Sequence, residues 1–536
     1  MTQESRSLVG AATLVGGLSF VSRIIGLIRD RILLGEFGAG DVLDAYYAAF
    51  KVPDLLFSLL VVGSLSAGFI PYFTAHYNRN FQREKAWDFL NNILNIIAVS
   101  MFAVSGVLFF FTPQVAALVA PGFDPVKQAL VADYTRVMLL AQCLLAVSAM
   151  FGGALQSMKR FLLFSLAPIF YNVGIIAGAL WIVPVAGNIG LAWGVVLGAF
   201  LHFCIQLYGV LQSGYRYQWR FDTKDADTRG MVKLTGPRII GIGVTQLNFV
   251  LLTILASTLA AGSVTIFQVA YNIQFFPVGI IGIAYAIAVF PTLVDHVERR
   301  DMKSFVSSFS DAARQVLFFL IPMTVVFLAL RSQIVRVVAG AGAFDWEATI
   351  LTADTLAFFT LSFGVQALNA LLARAFYAMH DTMTPLVAGL VAELMAFVGA
   401  LAFIGPFGVR GLGLAFTLSV FVNTALLWVP LRKQTTTLDE LHIVRSLFKI
   451  VVAGLACLVV TQLLKPVFVS VFSIDTFLGV LFQGLFAGGF GLLAYVGVAY
   501  VLKSEELATV WEGVTRRFFK KAQPEEGIAP PDISAA

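Results

Sequence analysis

Charged side chains are scarce in this sequence. Only 12% of its 536 residues are Asp, Glu, Lys or Arg, whereas soluble domains contain about a quarter. Hydrophobic residues make up 59% of the chain, and the mean hydropathy is +0.86. This composition excludes a soluble globular domain and predicts a polytopic membrane protein.

Cysteine and histidine are also scarce. The three cysteines lie inside apolar runs and the five histidines are scattered, so we predict neither a disulfide framework nor a metal centre. The H-E-x-x-H, Walker A and C-x-x-C motifs are absent. We therefore predict a protein that is not an enzyme and holds no cofactor. A coupling monovalent ion or the membrane potential is the expected energy source.

Apolar stretches long enough to cross a bilayer recur along the whole chain. A spanning helix needs about 20 apolar residues, and many of these stretches are longer. They predict an all-α fold with fourteen transmembrane helices, near residues 8–36, 41–76, 86–112, 127–157, 161–184, 188–213, 235–260, 263–296, 305–330, 347–379, 384–404, 409–431, 445–471 and 476–502.

Lysine and arginine concentrate in alternate loops between these stretches, and the intervening loops are nearly bare. Cytoplasmic loops carry the excess of these residues, so both termini are predicted to be cytoplasmic. The net charge of +5 reflects this asymmetry and does not indicate nucleic-acid binding.

The sequence repeats itself at an offset near 221 residues: segment 39–42 recurs at 261–264, and 187–191 recurs at 408–412. Two six-helix lobes with a substrate site between them are typical of secondary transporters. We predict a first lobe at 1–220, a second at 221–436, two further helices at 437–503 and a cytoplasmic tail at 504–536.

A group of charged residues lies between positions 22 and 54, in apolar surroundings. It contains Arg23, Arg29, Asp30, Arg31, Asp44, Lys51 and Asp54. A charge at membrane depth costs several kcal/mol unless it faces water or a partner. One interpretation places these residues at helix ends, from which long side chains reach the interface. The excess of charge in one segment favours the alternative, a hydrated cavity that receives an anion.

Arg23 and Arg29 lie six positions apart, so on a straight helix they point about 120° from each other. A local break at Gly26 is expected to turn both toward one cavity. Two guanidinium groups and the ammonium of Lys51 suit a diphosphate, because Arg binds phosphate oxygens through paired hydrogen bonds.

The remaining charges receive supporting roles. Asp44 is expected to orient one of the cations, and Asp30 and Arg31 are expected to pair near the outer interface. For Arg238 and Arg374 we favour anchoring at a helix end over substrate binding.

The second lobe offers amides where the first offers cations. One interpretation is that these amides join helices, each hydrogen bond being worth ~0.6–2 kcal/mol. That interpretation is favoured for Gln246 and Asn248, while ligand contact is weighed equally for Asn272 and Gln274. Both of the latter enter the predicted substrate site. The full set is Gln246, Asn248, Gln268, Asn272 and Gln274.

At these residues the chain resembles the lipid II flippases of the MurJ (MviN) family, within the MOP flippase/exporter superfamily. The resemblance covers the first twelve helices, and the helix count fits the whole chain. The matching stretches are 22–30, 37–40, 44–45, 49–56, 69–71, 167–168 with Asn172, 276–279 and 376–385.

The resemblance implies transfer of an undecaprenyl-diphosphate-linked disaccharide-pentapeptide, lipid II, from the inner to the outer leaflet by alternating access. Arg23 and Arg29 would engage the diphosphate, with Lys51 and Asp44 supporting them. Helices thirteen and fourteen would form a groove for the polyprenyl tail. The cell-wall synthesis machinery is a further expected partner. Pro53 and Pro277, with nearby glycines such as Gly26, would be the hinges.

The chain departs from the family pattern at two places. Relatives carry an arginine where Phe57 and Ser58 stand here, and an Arg and a Glu around Asn272 and Phe275. Either fewer charges suffice, or Arg374 substitutes for them, or the substrate differs from lipid II.

Three rival functions follow from the same features. A flippase for another polyprenyl-linked oligosaccharide would usually have twelve helices. A cation-coupled drug exporter would need intramembrane acids, but Glu393 is nearly the only one in the second half. A membrane scaffold without transport would not need charges in a cavity.

Overall fold

The computed structural model describes residues 3–78 and 83–518, and every regular element in these ranges is helical. Ten of the described helices are long and apolar enough to cross a membrane, or eleven if the bent pair Trp346–Thr360 and Phe363–Ala378 forms one span. The all-α polytopic fold is confirmed, whereas the count of fourteen spans stays a prediction.

The helices fall into three groups along the chain. The first group is α1 (Gln3–Phe37), α2 (Asp41–Phe57), α3 (Ile70–Tyr77), α4 (Arg83–Phe110), α5 (Thr112–Val119), α6 (Pro125–Ser157), α7 (Phe161–Ala177), α8 (Val183–Ala186) and α9 (Gly190–Leu211). The second group is α10 (Ala226–Ser257), α11 (Ser263–Pro277), α12 (Ala284–Glu298), α13 (Met302–Ala329), α14 (Arg331–Val338), α15 (Trp346–Thr360), α16 (Phe363–Ala378), α17 (Met383–Phe407) and α18 (Val409–Thr435). The third is α19 (Glu440–Val471), α20 (Phe477–Val501) and α21 (Glu505–Phe518).

The first two groups repeat one order of helices. The long helices α4 and α13 begin 219 positions apart, and the short helices α5 and α14 follow them at the same spacing. Helices α2 and α11 each continue into a π-helical segment, Ser58–Val62 and Val278–Ile283. Two pseudo-symmetric lobes followed by α19 and α20 are therefore confirmed. The residue limits predicted for each lobe stay predictions.

Glycines let α7 and α9 pack as an antiparallel pair. A Cβ on Gly174 would lie 2.2 Å from the Cα of Gly198, and one on Gly178 would lie 2.2 Å from the Cα of Gly194. Such close approach is typical of membrane helix pairs with small residues at the contact. The continuous apolar stretch Phe161–Leu211 therefore doubles back on itself.

The predicted hinges differ in their surroundings. Pro53 lies inside α2, five residues before its π-helical segment, and Pro277 ends α11 directly before the matching one. Proline lacks an N–H and disturbs the helix around it, which fits the wider turns that follow. The break predicted at Gly26 is wrong, because α1 continues unbroken from Gln3 to Phe37. The hinge roles stay predictions.

Candidate functional site between the lobes

A cavity of about 420 Å³ lies between the two lobes. Helices α1, α2 and α7 of the first lobe and α10 and α11 of the second line it. Arg29 stands eight residues before the end of α1, so the cavity lies roughly 12 Å along the helix axis from that end. The lining polar residues are Arg29, Asp30, Tyr46, Tyr47, Lys51, Asp54, Tyr171, Gln246, Gln268, Tyr271 and Asn272.

Arg29 is held by two first-lobe partners. Its Nη2 lies 2.6 Å from Asp30 Oδ1, and its Nη1 donates to Asn172 Oδ1 at 2.8 Å. Asn172 in turn donates to the carbonyl of Pro168, which fixes the orientation of its side chain. A guanidinium group has five N–H donors in a fixed fork, so Arg29 keeps donors for a ligand while its position is set.

Lys51 bonds across the cavity to the second lobe. Its Nζ donates to Gln268 Oε1 at 2.8 Å, and Gln268 Nε2 donates to Asn272 Oδ1 at 2.9 Å. Asn272 Nδ2 lies 3.5 Å from Asp30 Oδ2. A chain of polar groups therefore joins Lys51 to Arg29 through two amides. Lys51 is 9% exposed, and its hydrogen-bond acceptor is neutral.

Arg23 does not share this cavity, contrary to the sequence-based expectation. Its guanidinium lies 5.9 Å from the ring centroid of Phe275, and a Cβ on Gly279 would lie 3.3 Å from its Nη atoms. The reason is that α1 is unbroken, so the six-residue spacing turns Arg23 and Arg29 to different sides. Arg23 instead contacts the second lobe at the end of α11.

Asp44 also lies apart from the cavity cations, and its predicted orienting role is wrong. It is 1% exposed and accepts a 2.8 Å bond from Lys127 Nζ. It also accepts from the backbone N–H groups of Gly262 and Thr265. These contacts join α2 to α6 and to the start of α11. They lie at the end of the bundle that contains the α1–α2 turn at Gly38, which we call the Gly38 end.

Two further expectations about side chains are corrected. Gln274 is fully buried and accepts a bond from Gln366 inside the second lobe, so it joins helices and faces away from the cavity. Asp30 pairs with Arg29 rather than with Arg31. Arg31 donates to the carbonyls of residues 336 and 337 at the end of α14.

Arg374 and Arg238 are the two arginines predicted to anchor helix ends. Arg374 donates to the carbonyl of Ala370 on its own helix at 3.1 Å and is not among the residues that line the cavity. The side chain of Arg238 lies outside the described part of the chain.

Sequence reasoning misses three partners of the predicted site residues. Asn172 enters only as part of a motif. Gln142, which donates to Asp54 at 2.9 Å, and Lys127, the first residue of a predicted span, are not singled out. Lys127 lies in the first turn of α6, whose N-terminus is capped by Asp124. The sequence signal that could have identified Lys127 is its position two residues after Pro125, in an apolar segment.

Fold and cavity together define a two-lobed polytopic membrane protein with cations buried between its lobes. The family model described as lipid II flippase MurJ matches residues 35–482. The chain therefore belongs to the MurJ family.

Relatives with the same description match most of this chain. The probable lipid II flippase MurJ of Treponema pallidum (strain Nichols) is 28% identical over 81% of this chain and 83% of its own length. That of Rhizobium tropici is 27% identical over 97% of this chain and 98% of its own.

Solved structures share the fold. A lipid II flippase MurJ in an inward closed conformation covers 91% of this chain and 98% of its own, at 23% identity and a TM-score of 0.76. An inward-facing MATE family transporter of the MOP superfamily covers 80% and 99%, at 14% identity and a TM-score of 0.67.

Proposed function

We propose that this protein is a flippase that moves lipid II from the inner to the outer leaflet of the bacterial cytoplasmic membrane. The observation that carries the proposal is the pair of cations, Arg29 and Lys51, that line one inter-lobe cavity. Burying such charges is costly, and a diphosphate headgroup crossing the membrane offsets that cost. Membership of the family supports this substrate.

The transport step is alternating access. The headgroup enters from the cytoplasmic side between α1 and α11, while the polyprenyl tail stays in the bilayer along α19 and α20. Both termini face the cytoplasm. No ATP is used, and the membrane potential or a monovalent ion supplies the energy, since one charge crossing 100 mV is worth ~2.3 kcal/mol.

The cavity chemistry disfavours the exporter alternative. Asp30 and Asp54 line the first-lobe wall beside Arg29 and Lys51, but Asp30 is paired with Arg29 and Asp54 accepts from Gln142. The facing helix α11 contributes Gln268, Tyr271 and Asn272 and no acid, so a cationic drug would find no unpaired carboxylate on that side. A flippase for another polyprenyl-diphosphate oligosaccharide shares the same physics, and the substrate arm of the following experiment separates it from lipid II.

The test is a translocation assay in proteoliposomes with purified lipid II. We expect Arg29→Ala and Lys51→Ala each to lower the rate at least about tenfold, because each removes a charge-assisted bond to phosphate. Arg299→Ala is the matched control, since Arg299 forms an exposed pair with Asp295. Undiminished flipping by Arg29→Ala would remove the central role of the cavity, and equal rates with an unrelated polyprenyl-diphosphate sugar would broaden the substrate.

A further inference from the structure

The hydrogen bond between Lys51 and Gln268 crosses from one lobe to the other. Lys51 lies in the middle of α2, and Gln268 in the first half of α11. Their 2.8 Å contact lies in the cavity itself, so it joins the lobes at the place where the substrate would bind.

Gln268 is held on both sides. Its carbonyl oxygen accepts from Lys51, and its amide nitrogen donates to Asn272, which in turn lies 3.5 Å from Asp30. Because a carboxamide has one acceptor oxygen and one donor nitrogen, Gln268 accepts from the cation and donates to the oxygen of the neighbouring amide at the same time.

A diphosphate oxygen competes directly with the Gln268 carbonyl. A phosphate oxygen carries a negative charge, so it attracts the Lys51 ammonium more strongly at the same distance than the neutral amide oxygen does. The substrate would therefore take Lys51 and leave Gln268 without its partner in the first lobe.

We propose that Gln268 is a positioning residue that restrains Lys51 in the empty protein, so that capture of the anion is linked to separation of the lobes. In the empty protein Gln268 holds Lys51 pointing across the cavity. Binding of a diphosphate displaces Gln268, and one of the inter-lobe bonds at the cavity is lost in the same event. This inference rests on the proposed function and adds the residue that sets how readily Lys51 is released.

The test compares two carboxylates placed in one cavity. Gln268→Glu would pair with Lys51, while Gln246→Glu adds the same charge to the lining without that contact. We expect Gln268→Glu to weaken binding of undecaprenyl diphosphate in detergent by about tenfold or more, and Gln246→Glu by about twofold to threefold. Native mass spectrometry of the full-length protein measures the bound fraction.

Two further variants separate displacement from a general structural effect. Gln268→Leu removes the competitor for Lys51, so we expect affinity to be kept or improved. When Lys51→Gln is already present, Gln268→Glu should lower the affinity for undecaprenyl diphosphate only as much as Gln246→Glu does. The reason is that no ammonium remains to pair with the new carboxylate.

The outcomes distinguish this inference from the proposed function. If the unmodified protein binds no undecaprenyl diphosphate, the proposed function fails. If it binds, and the two Glu variants weaken binding equally, the inference alone is overturned. A loss in Gln268→Leu as large as that in Lys51→Gln would also overturn it, since Gln268 would then contact the ligand directly.

Discussion

The two ends of the bundle are fastened by different chemistry. At the Gly38 end the lobes meet through close backbone contacts, where a Cβ on Gly262 would lie 2.5 Å from the carbonyl of Ala39, and one on Gly122 would lie 2.4 Å from that of Ser257. Arg31 and Asp44 add hydrogen bonds between the lobes there.

The opposite end of the bundle contains the end of α3 at Asn78, and we call it the Asn78 end. Its contacts are made by polar side chains. Asn91, Asn92 and Asn95 on α4 bond the loop between α9 and α10 at the carbonyls of residues 216, 222 and 220. His76 contacts Asp227 on α10 at 2.9 Å. These bonds fasten the inter-lobe loop and the start of α10 to the first lobe.

This difference between the two ends indicates which contacts must break during transport and which can persist. Under the proposed alternating access with cytoplasmic termini, the Gly38 end must part to reach the outer leaflet. Its described contacts depend on a few glycines, Arg31 and one buried carboxylate. At the Asn78 end the described polar contacts join the first lobe to the inter-lobe loop and to the first turn of α10. Variants at the two ends should therefore affect different measurements.

The largest effect is expected for Asp44→Ala. This change leaves the ammonium of Lys127 buried with only the exposed carboxylate of Asp41 as a partner, and breaking a buried ion pair costs about 3–5 kcal/mol. Thermal denaturation in detergent measures the loss of stability. Asp133→Ala is the control, because its pair with Arg136 is exposed and should be worth at most about 1 kcal/mol. Equal losses in both variants would contradict the importance of the Gly38 end.

A smaller loss is expected for Gly262→Ala. Gly262 has φ +90° and a Cβ there would meet the Ala39 carbonyl, so backbone strain of about 1–2 kcal/mol adds to a steric clash between the lobes. Gly214→Ala separates the two effects, since Gly214 has φ +87° and an added methyl group would meet nothing within 4 Å. We expect only Gly262→Ala to increase the labelling of a cysteine introduced at Tyr47 in the cavity by a membrane-impermeant thiol reagent.

The sequence predicted the fold well because the duplication is visible in the residues themselves. The charged residues in apolar surroundings also led to Arg29 and Lys51, and the amides of the second lobe led to Asn272. The structure brings all three into one cavity. Their role in substrate binding stays a prediction. The partner of Asp44 lies 83 positions away in the sequence, and no local pattern links Asp44 to Lys127.

Orientation around a helix was the harder problem. Gln268 and Gln274 lie six positions apart on α11, an apolar helix with buried residues along most of its length. Periodicity cannot assign a cavity face to such a helix. Only packing decides that Gln268 faces Lys51 and Gln274 faces Gln366.

At the Asn78 end, Asn92→Ala should have a local effect. Asn92 is 1% exposed, and it bonds both the N–H and the carbonyl of Asp222. Leaving these groups unpaired costs about 1–3 kcal/mol, and hydrogen exchange should accelerate at residues 216–228 while the Gly38 end is unchanged. Asn188→Ala, at an exposed turn, is the control. Faster exchange at residues 257–265 would instead show that the ends are coupled.

The smallest expected effect is a pH dependence of the contact between α21 and α13. Burial alone would raise the pKa of Glu506. Hydrogen bonds from Ser446, Ser504 and Arg314 stabilise its carboxylate more strongly than burial opposes it, so its pKa lies below the ordinary value of 4.5. A lowered folded-state pKa gives stability that is complete above pH 4.5 and is lost as the pH falls through the folded-state pKa.

Glu506→Gln should therefore lower the melting temperature at pH 7, and the difference from the unmodified protein should narrow as the pH falls below 4.5. Glu512→Gln, on the exposed face of the same helix, should change neither value. A difference that persists unchanged at low pH would mean that packing of the Glu506 side chain, and not its charge, holds α21 against α13.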